Sequence, residues 1–286
     1  MSTSIEQPPH RPPMAVGRFV LFIACAAAVL ASLRFVEFNP ALLIYPDALG
    51  SMADFGKGFL PPDLSADFLI TTLRPALETI QLATAGTALA LVLGIPLSLM
   101  AAGTFHLGGG PLFEGDPPAK GIRGALRPSP YWISRLTLNA MRSIPEIIWA
   151  LLFVRMTGLG AAAGILGIGV AYAGIMGKVF AEIMEGTDMR PAIALRAAGA
   201  SRPQAIAYGV IPGAMRTLLS YTLYRWECAM RAAAILGFVG AGGLGQQIEI
   251  SIRMFEHPQT ATLIIELFLL VALADVISGY IRRKFT

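Results

Sequence analysis

The chain has 286 residues, of which 55% are hydrophobic and only 14% charged, with a formal net charge of +4. A mean hydropathy of +0.63 is far above that of a soluble domain of this length. These figures exclude an ordinary soluble enzyme and identify an integral membrane protein.

Residues 1–15 include a Pro-rich stretch, Gln7 to Pro13, read as a flexible cytoplasmic lead; residues 16–286 form a single transmembrane domain. Six apolar runs follow, at Val16–Leu33, Leu77–Ala102, Leu136–Met156, Leu159–Ile183, Gly213–Leu236 and Thr260–Ile281. Each is near the roughly 20 residues that a helix needs to cross a bilayer. The third and fourth are joined tightly at Thr157-Gly158. The first could instead be read as a signal peptide. Phe22-Ile-Ala-Cys25 is a poor lipoprotein cleavage box, however, so it is taken as an uncleaved span.

Between the spans, Glu37 to Leu73 is long enough for a short helix lying on the outer membrane face. Thr104 to Pro130, rich in Gly and Pro, reads as an extended surface loop. With the N-terminus cytoplasmic, the inner connections receive Arg11, Arg18, Lys120, Arg123, Arg127, Arg135, Arg190, Arg196, Arg202 and Arg282-Arg283-Lys284. The outer ones receive mainly Lys57, Arg74 and Arg253. That asymmetry places both termini in the cytoplasm. No internal repeat is visible in the chain.

The most informative segment lies in the cytoplasmic connection 186–212. Pro191 suits a first helical turn and Gly199 the left-handed position past a helix end. Ser201 and Gln204 have the spacing of a capping box, with Pro203 tolerated in the first turn. The segment therefore reads as two short helices folded around Gly199 into a rigid knob on one membrane face.

Other patterns carry no chemistry. Gly240-Ala-Gly242-Gly-Leu-Gly245 satisfies G-x-G-x-x-G but ends a membrane span, outside any βαβ unit. Gly177-Lys178 resembles the end of a P-loop, but Tyr172 replaces its first glycine and Val179 its hydroxyl residue. His10, His106 and His257 are scattered, with no zinc or triad spacing, and Cys25 and Cys228 lie in apolar runs. No catalytic, metal or cofactor residue is assigned.

The knob resembles the signature loop of the permease subunits of binding-protein-dependent ABC importers. That loop runs Glu-Ala-Ala, three residues, Gly, nine residues, Ile, one residue, Leu-Pro. Ala194 takes the first alanine, Gly199 the glycine, Ile211 the leucine and Pro212 the proline, whereas Ile193 replaces the glutamate and Gly209 the isoleucine. Three further stretches, Arg142-Ser-Ile-Pro145-Glu146-Ile-Ile-Trp149-Ala-Leu-Leu-Phe153, Gly177-Lys178-Val-Phe180-Ala-Glu182 and Leu236-Gly-Phe-Val-Gly240-Ala-Gly242-Gly-Leu-Gly245, look like phosphonate-uptake permeases. The last is shared with methionine and quaternary-amine permeases.

The resemblance implies an all-α, type I permease-like subunit in the bacterial cytoplasmic membrane, moving phosphonate or a related phosphorus oxyanion such as phosphite. It implies a second copy of the chain, two ATPase subunits that hold the ATP and Mg, and an extracytoplasmic binding protein. Lipid surrounds it, and no nucleic acid is involved. Coupling to the ATPases would then fall to Ala194, Arg196, Gly199, Ser201, Arg202 and Pro212. A methionine or quaternary-amine importer is the alternative within the family, and an ion-coupled secondary transporter the alternative outside it.

Charges inside spans usually face a partner or a wet path. Arg142 with Glu146, Lys178 with Glu182, and Glu227 with Arg231 are each four apart, as for pairs on one helical face. Arg225 has no acid three or four residues away, which makes it the best candidate to meet a translocating anion. At the outer turn, Gly242, Gly243 and Gly245 offer closely spaced N–H groups that could form an oxyanion nest. A flexible corner that lets the chain re-enter the membrane, or that packs closely against a neighbour, is the favoured reading there. Gln246, Gln247 and Glu249 beyond it are candidates to meet the binding protein. Trp149 and Trp226 are read as packing or interfacial residues rather than an aromatic cage for a quaternary ammonium ligand.

Overall fold

The computed structural model describes residues 16–36, 45–107, 111–113 and 128–285, and the described residues are helical with short turns. The Pro-rich lead and most of the Thr104–Pro130 connection lie outside them. Two compact units divide at Gly58.

The first unit holds α1 (Val16–Phe35) and α2 (Pro46–Gly58). Its large apolar side chains are exposed around α1, Phe22 at 70% and Leu30 at 64%, as suits a helix solvated by hydrocarbon. The short helix expected in the outer connection is α2, with Asp47 in its first turn and Lys57 in its last, each matched to the helix dipole.

The second unit is built on α3 (Ala66–Ala101) and α7 (Ala161–Glu185), with α4 (Gly103–His106), α5 (Ser129–Ser143) and α6 (Glu146–Thr157) around them. Small residues let the helices approach. A Cβ at Gly86 would stand 2.7 Å from Ile168, and one at Gly94 only 3.2 Å from the Ala173 carbonyl oxygen. Close backbone approach of this kind substitutes for hydrophobic driving force inside a membrane. In the most apolar window of α7, 67% of residues are buried, so α7 is the central post of the bundle.

The third expected span is not one helix. α5 and α6 meet at a 90° bend. Pro145 has no N–H, and Ile144 before it is extended at φ −99°, ψ 123°. The carbonyl of Met141 would accept from residue 145 in a continuous helix; here the indole Nε1–H of Trp149 donates to it at 3.0 Å. The break also separates Arg142 from Glu146, correcting their expected pairing: Arg142 donates instead to Asn139 Oδ1 at 3.1 Å. The joint to α7 is tight, as expected, with Gly158 at φ 86° and Gly160 at φ 131°.

Beyond the knob helices, α8 (Arg190–Ala197) and α9 (Arg202–Ala205), a π turn over Ile206–Val210 leads into α10 (Ile211–Gly237), then α11 (Gly243–Arg253) and α12 (His257–Phe285). Among the described residues three helices, α3, α7 and α12, are long and apolar enough to cross a membrane, or four with the bent pair. This is fewer than the six expected. The apolar part of α1, Phe19–Phe35, is short, and α10 carries Arg216, Arg225, Glu227 and Arg231.

Candidate functional site

The knob forms as its sequence dictates. Asp188 accepts from the backbone N–H and the guanidinium of Arg190 at 3.0 and 2.9 Å, which opens α8 and holds the Asp188 carboxyl below its ordinary range. Gly199, at φ 90°, closes α8: its N–H donates to the Arg196 carbonyl and that of Ala200 to the Leu195 carbonyl, each at 3.0 Å. These two bonds are those of a Schellman cap. Arg196 Nη1 donates to the Ala200 carbonyl at 2.8 Å and ties the turn further. Gln204 Oε1 accepts the Ser201 N–H at 2.8 Å in the expected capping box.

The buried side of the knob rests on the end of the bundle. Ala192, Ala205, Val210 and Ala214 are buried with Leu138, Ala181 and Met184. Leu112 and Phe113 join them, which corrects the reading of the whole Thr104–Pro130 connection as a surface loop. Its Pro111–Phe113 turn is inserted beneath the knob because it carries two large apolar side chains amid Gly and Pro. Ala194, Ala197, Ala198, Gly199, Ser201, Pro203 and Gln204 are exposed on the knob and carry no formal charge, while Arg190 at its start is exposed and paired with Asp188. The Arg202 guanidinium carbon lies 4.2 Å from the centre of the Phe113 ring. Pro212 opens α10 at a position where its missing N–H costs nothing.

Above the knob, Glu185 at the end of α7 is shared by three elements. It accepts from Arg135 Nη2 of α5 at 2.8 Å and from the Gly103 N–H at 2.6 Å, while Arg135 Nε donates to the Ala101 carbonyl at 2.9 Å. The sequence gives no sign of this junction, since Arg135 and Glu185 are fifty residues apart.

Three groups stand out among the charges of the helices. Lys178 and Glu182 pair at 3.4 Å along α7, as expected. Glu227, only 7% exposed, pairs with Arg231 at 3.3 Å and also with Arg282 of α12 at 3.7 Å. Arg282 in turn reaches Asp275 at 3.8 Å. Glu227 lies about 24 Å along α10 from its start, so the basic end of α12 stands beside the middle of α10. Arg225 makes no ion pair among the described residues. Its guanidinium lies 4.5 Å from the centre of the Tyr172 ring, and its Nε is buried without a hydrogen-bond partner. The neighbouring Trp226 donates to Thr84 Oγ1 at 3.0 Å, fixing α10 against α3, so both tryptophans singled out pack rather than form a cage.

The glycine turn is a packed corner. The Gly243 N–H donates to Glu78 Oε2 at 3.4 Å and the Leu244 N–H to Thr79 Oγ1 at 2.9 Å, so side chains of α3 already occupy these donors. Glu78 also holds Arg74 at 3.2 Å. Gly242 and Gly243 have φ of 100° and 74°, and a Cβ at Gly245 would run into the Ala234 carbonyl. α11 therefore folds back directly against the end of α10. Gln246 is half-buried and Gln247 exposed on this corner, and Glu249 pairs with Arg253.

Comparison with known proteins agrees with this architecture. The fold resembles that of the MetNI methionine ABC transporter in inward-facing conformations, with a TM-score of 0.63 and 23% identity over 78% of this chain and all of that one. The phosphite transport system permease protein PtxC of Stutzerimonas stutzeri is 33% identical over 239 residues, 84% of this chain and 79% of its own. The putative phosphite transport system permease protein HtxC of the same organism is 37% identical over 222 residues, 78% of this chain and 71% of its own. Residues 121–286 match the family described as binding-protein-dependent transport system inner membrane component. With its multi-pass helical bundle and its paired knob helices, the chain belongs to that family and is a transport permease subunit of the inner membrane.

Proposed function

We propose that this permease carries phosphonate or a related phosphorus oxyanion such as phosphite inward, as the membrane half of an ATP-driven importer. The carrying observation is its identity with PtxC and HtxC, named for phosphite transport, over most of each chain. Two copies of this chain surround the path. Two separate ATPase subunits bind and hydrolyse ATP with Mg, and an extracytoplasmic binding protein delivers the substrate. Both termini face the cytoplasm.

The exposed residues of the knob around Ala194 and Gly199 form the surface that fits a partner. Ser201 and Arg196 shape that face through the caps they close, and Pro212 starts the helix that receives the push. ATP-driven closure would displace α10, which carries Arg225, Glu227 and Arg231, and change the openings of the path.

Arg225 is the residue proposed to meet the oxyanion, since a buried guanidinium edge without a partner asks for an acceptor. Lys178, Glu146 and Arg142 are the further path candidates. Gly242, Gly243, Gly245 and Gln246 form the outer corner proposed to gate or to meet the binding protein.

The test is uptake into proteoliposomes holding this chain with its ATPase and binding protein. Phosphite or methylphosphonate should accumulate only with internal ATP. Uptake driven by an ion gradient without the ATPase would overturn the importer reading. ATP-dependent uptake of methionine or a quaternary amine instead would overturn the substrate.

A further inference from the structure

We propose that Phe113 is a positioning residue for energy coupling: its ring face holds Arg202 and so braces the second knob helix against the end of the helical bundle. The proposal rests on the coupling reading above and adds to it a brace, carried by an element outside the knob.

Three observations support it. First, Leu112 and Phe113 of the Pro111–Phe113 turn are buried where their surroundings in the sequence suggest solvent, at 1% and 8% exposure. Both side chains share one cluster with Ala192 of α8, Ala205 of α9, Val210 of the π turn and Ala214 of α10. The short turn thus belongs to the same buried cluster as the knob and the start of α10.

Second, the Arg202 guanidinium lies 4.2 Å from the Phe113 ring centre. A cation over an aromatic face is attracted by the ring quadrupole, more strongly as water is removed. Partial burial also draws Arg202 below the usual guanidinium range. Arg202 therefore serves the knob by holding it in place.

Third, the segment behind Arg202 is mechanically weak without support. α9 is four residues long and runs straight into the five-residue π turn Ile206–Val210. Such turns have wider hydrogen-bonded loops than an α-helix and occur where helices are interrupted. A push at Gly199 would be absorbed by bending at this joint unless α9 were fixed from the side. The Phe113 ring supplies the lateral contact, so the displacement passes to α10.

The experiment compares Phe113→Leu, Phe113→Trp, Arg202→Gln and the double variant Phe113→Leu/Arg202→Gln in the complex with ATPase and binding protein. Substrate transported per ATP hydrolysed is measured alongside ATPase retention. Phe113→Leu keeps the burial but loses the ring face, and should lower that ratio by about threefold or more with the ATPase still bound. Arg202→Gln should do the same, the double variant should be no worse than either, and Phe113→Trp should stay near wild type.

A wild-type ratio in Phe113→Leu overturns the brace. So does loss of the ATPase in Arg202→Gln alone, which would make Arg202 a docking contact. If Phe113→Leu chains do not assemble, Arg202→Gln leaves Leu112 and Phe113 in place and reads the same coupling. Gly199→Val serves as the control: if it too leaves coupling intact, the coupling reading fails, whereas an effect confined to Gly199→Val defeats the brace alone.

Discussion

Gly209 and Ala192 touch backbone to backbone: a Cβ built at Gly209 would stand 2.6 Å from the Ala192 Cα and 2.7 Å from its nitrogen. In the family's signature loop an isoleucine is usual at position 209. The glycine here lets the π turn lie directly on α8, and Ala192 is completely buried by the contact. Gly209→Ala should therefore destabilise the knob by about 1–3 kcal/mol, the usual cost of overpacking. Limited proteolysis across residues 186–212 would detect the loosening. Because the clash is with the backbone, Ala192→Gly should not relieve it, and rescue by that second change would contradict the geometry.

Gly199 makes a different demand. Nothing lies within 4 Å of a Cβ built there, but its φ of 90° is a conformation that side chains resist. Gly199→Val should strain the cap by roughly 1 kcal/mol or more and uncouple or release the ATPase. Unchanged ATPase association together with unchanged substrate-stimulated hydrolysis would show that the turn is not the coupling element.

The contrast between these two glycines shows what the sequence made legible. Gly199, Ser201 and Gln204 are local signals, and the cap and capping box form where their spacing places them. Gly209 stood out only as a departure from the motif, because the reason for it, Ala192, reaches it through the folded knob. The same limit explains the misreading of Arg142 with Glu146. A spacing of four assumes one helix, and Pro145 between them breaks it. Glu227 with Arg231 was legible for the same reason that Arg282 was not: the first pair shares a helix, and the second joins α10 to α12. Phe113 had only a weak local signal, the adjacent pair Leu112-Phe113 within a Gly- and Pro-rich stretch.

Glu227 ties α10 to α12 through Arg282 while neutralising Arg231. Its carboxylate is nearly buried, but Arg231 is about half exposed, so the full penalty of breaking a buried pair does not apply. Glu227→Gln should cost about 1–3 kcal/mol, seen as a lower Tm of the purified permease. Arg282→Gln should produce a smaller loss, because Glu227 keeps Arg231. Equal stability of all three proteins would mean that the cluster does not hold the helices together.

Arg225 separates transport from folding. Its charge lies over the Tyr172 ring and its Nε lacks a hydrogen-bond partner, so Arg225→Gln removes no ion pair seen among the described residues. Loss of the contact with the ring should cost only about 0.5–2 kcal/mol. A cation beside the path would lower the barrier to an oxyanion by replacing part of its water, which glutamine does poorly. Expression, dimer assembly and basal ATPase activity of Arg225→Gln should stay near wild type, while phosphite uptake falls at least about tenfold, equivalent to roughly 1.4 kcal/mol. Arg225→Lys should retain more uptake than Arg225→Gln, since it keeps the charge. The competing account is a bridge to Glu146 in another state of the transporter. In that case Arg225→Gln would lower the Tm, and adding Glu146→Gln would restore both stability and uptake. Measuring Tm and uptake for the two single variants and the double variant distinguishes these accounts, and rescue by Glu146→Gln would remove Arg225 from the path.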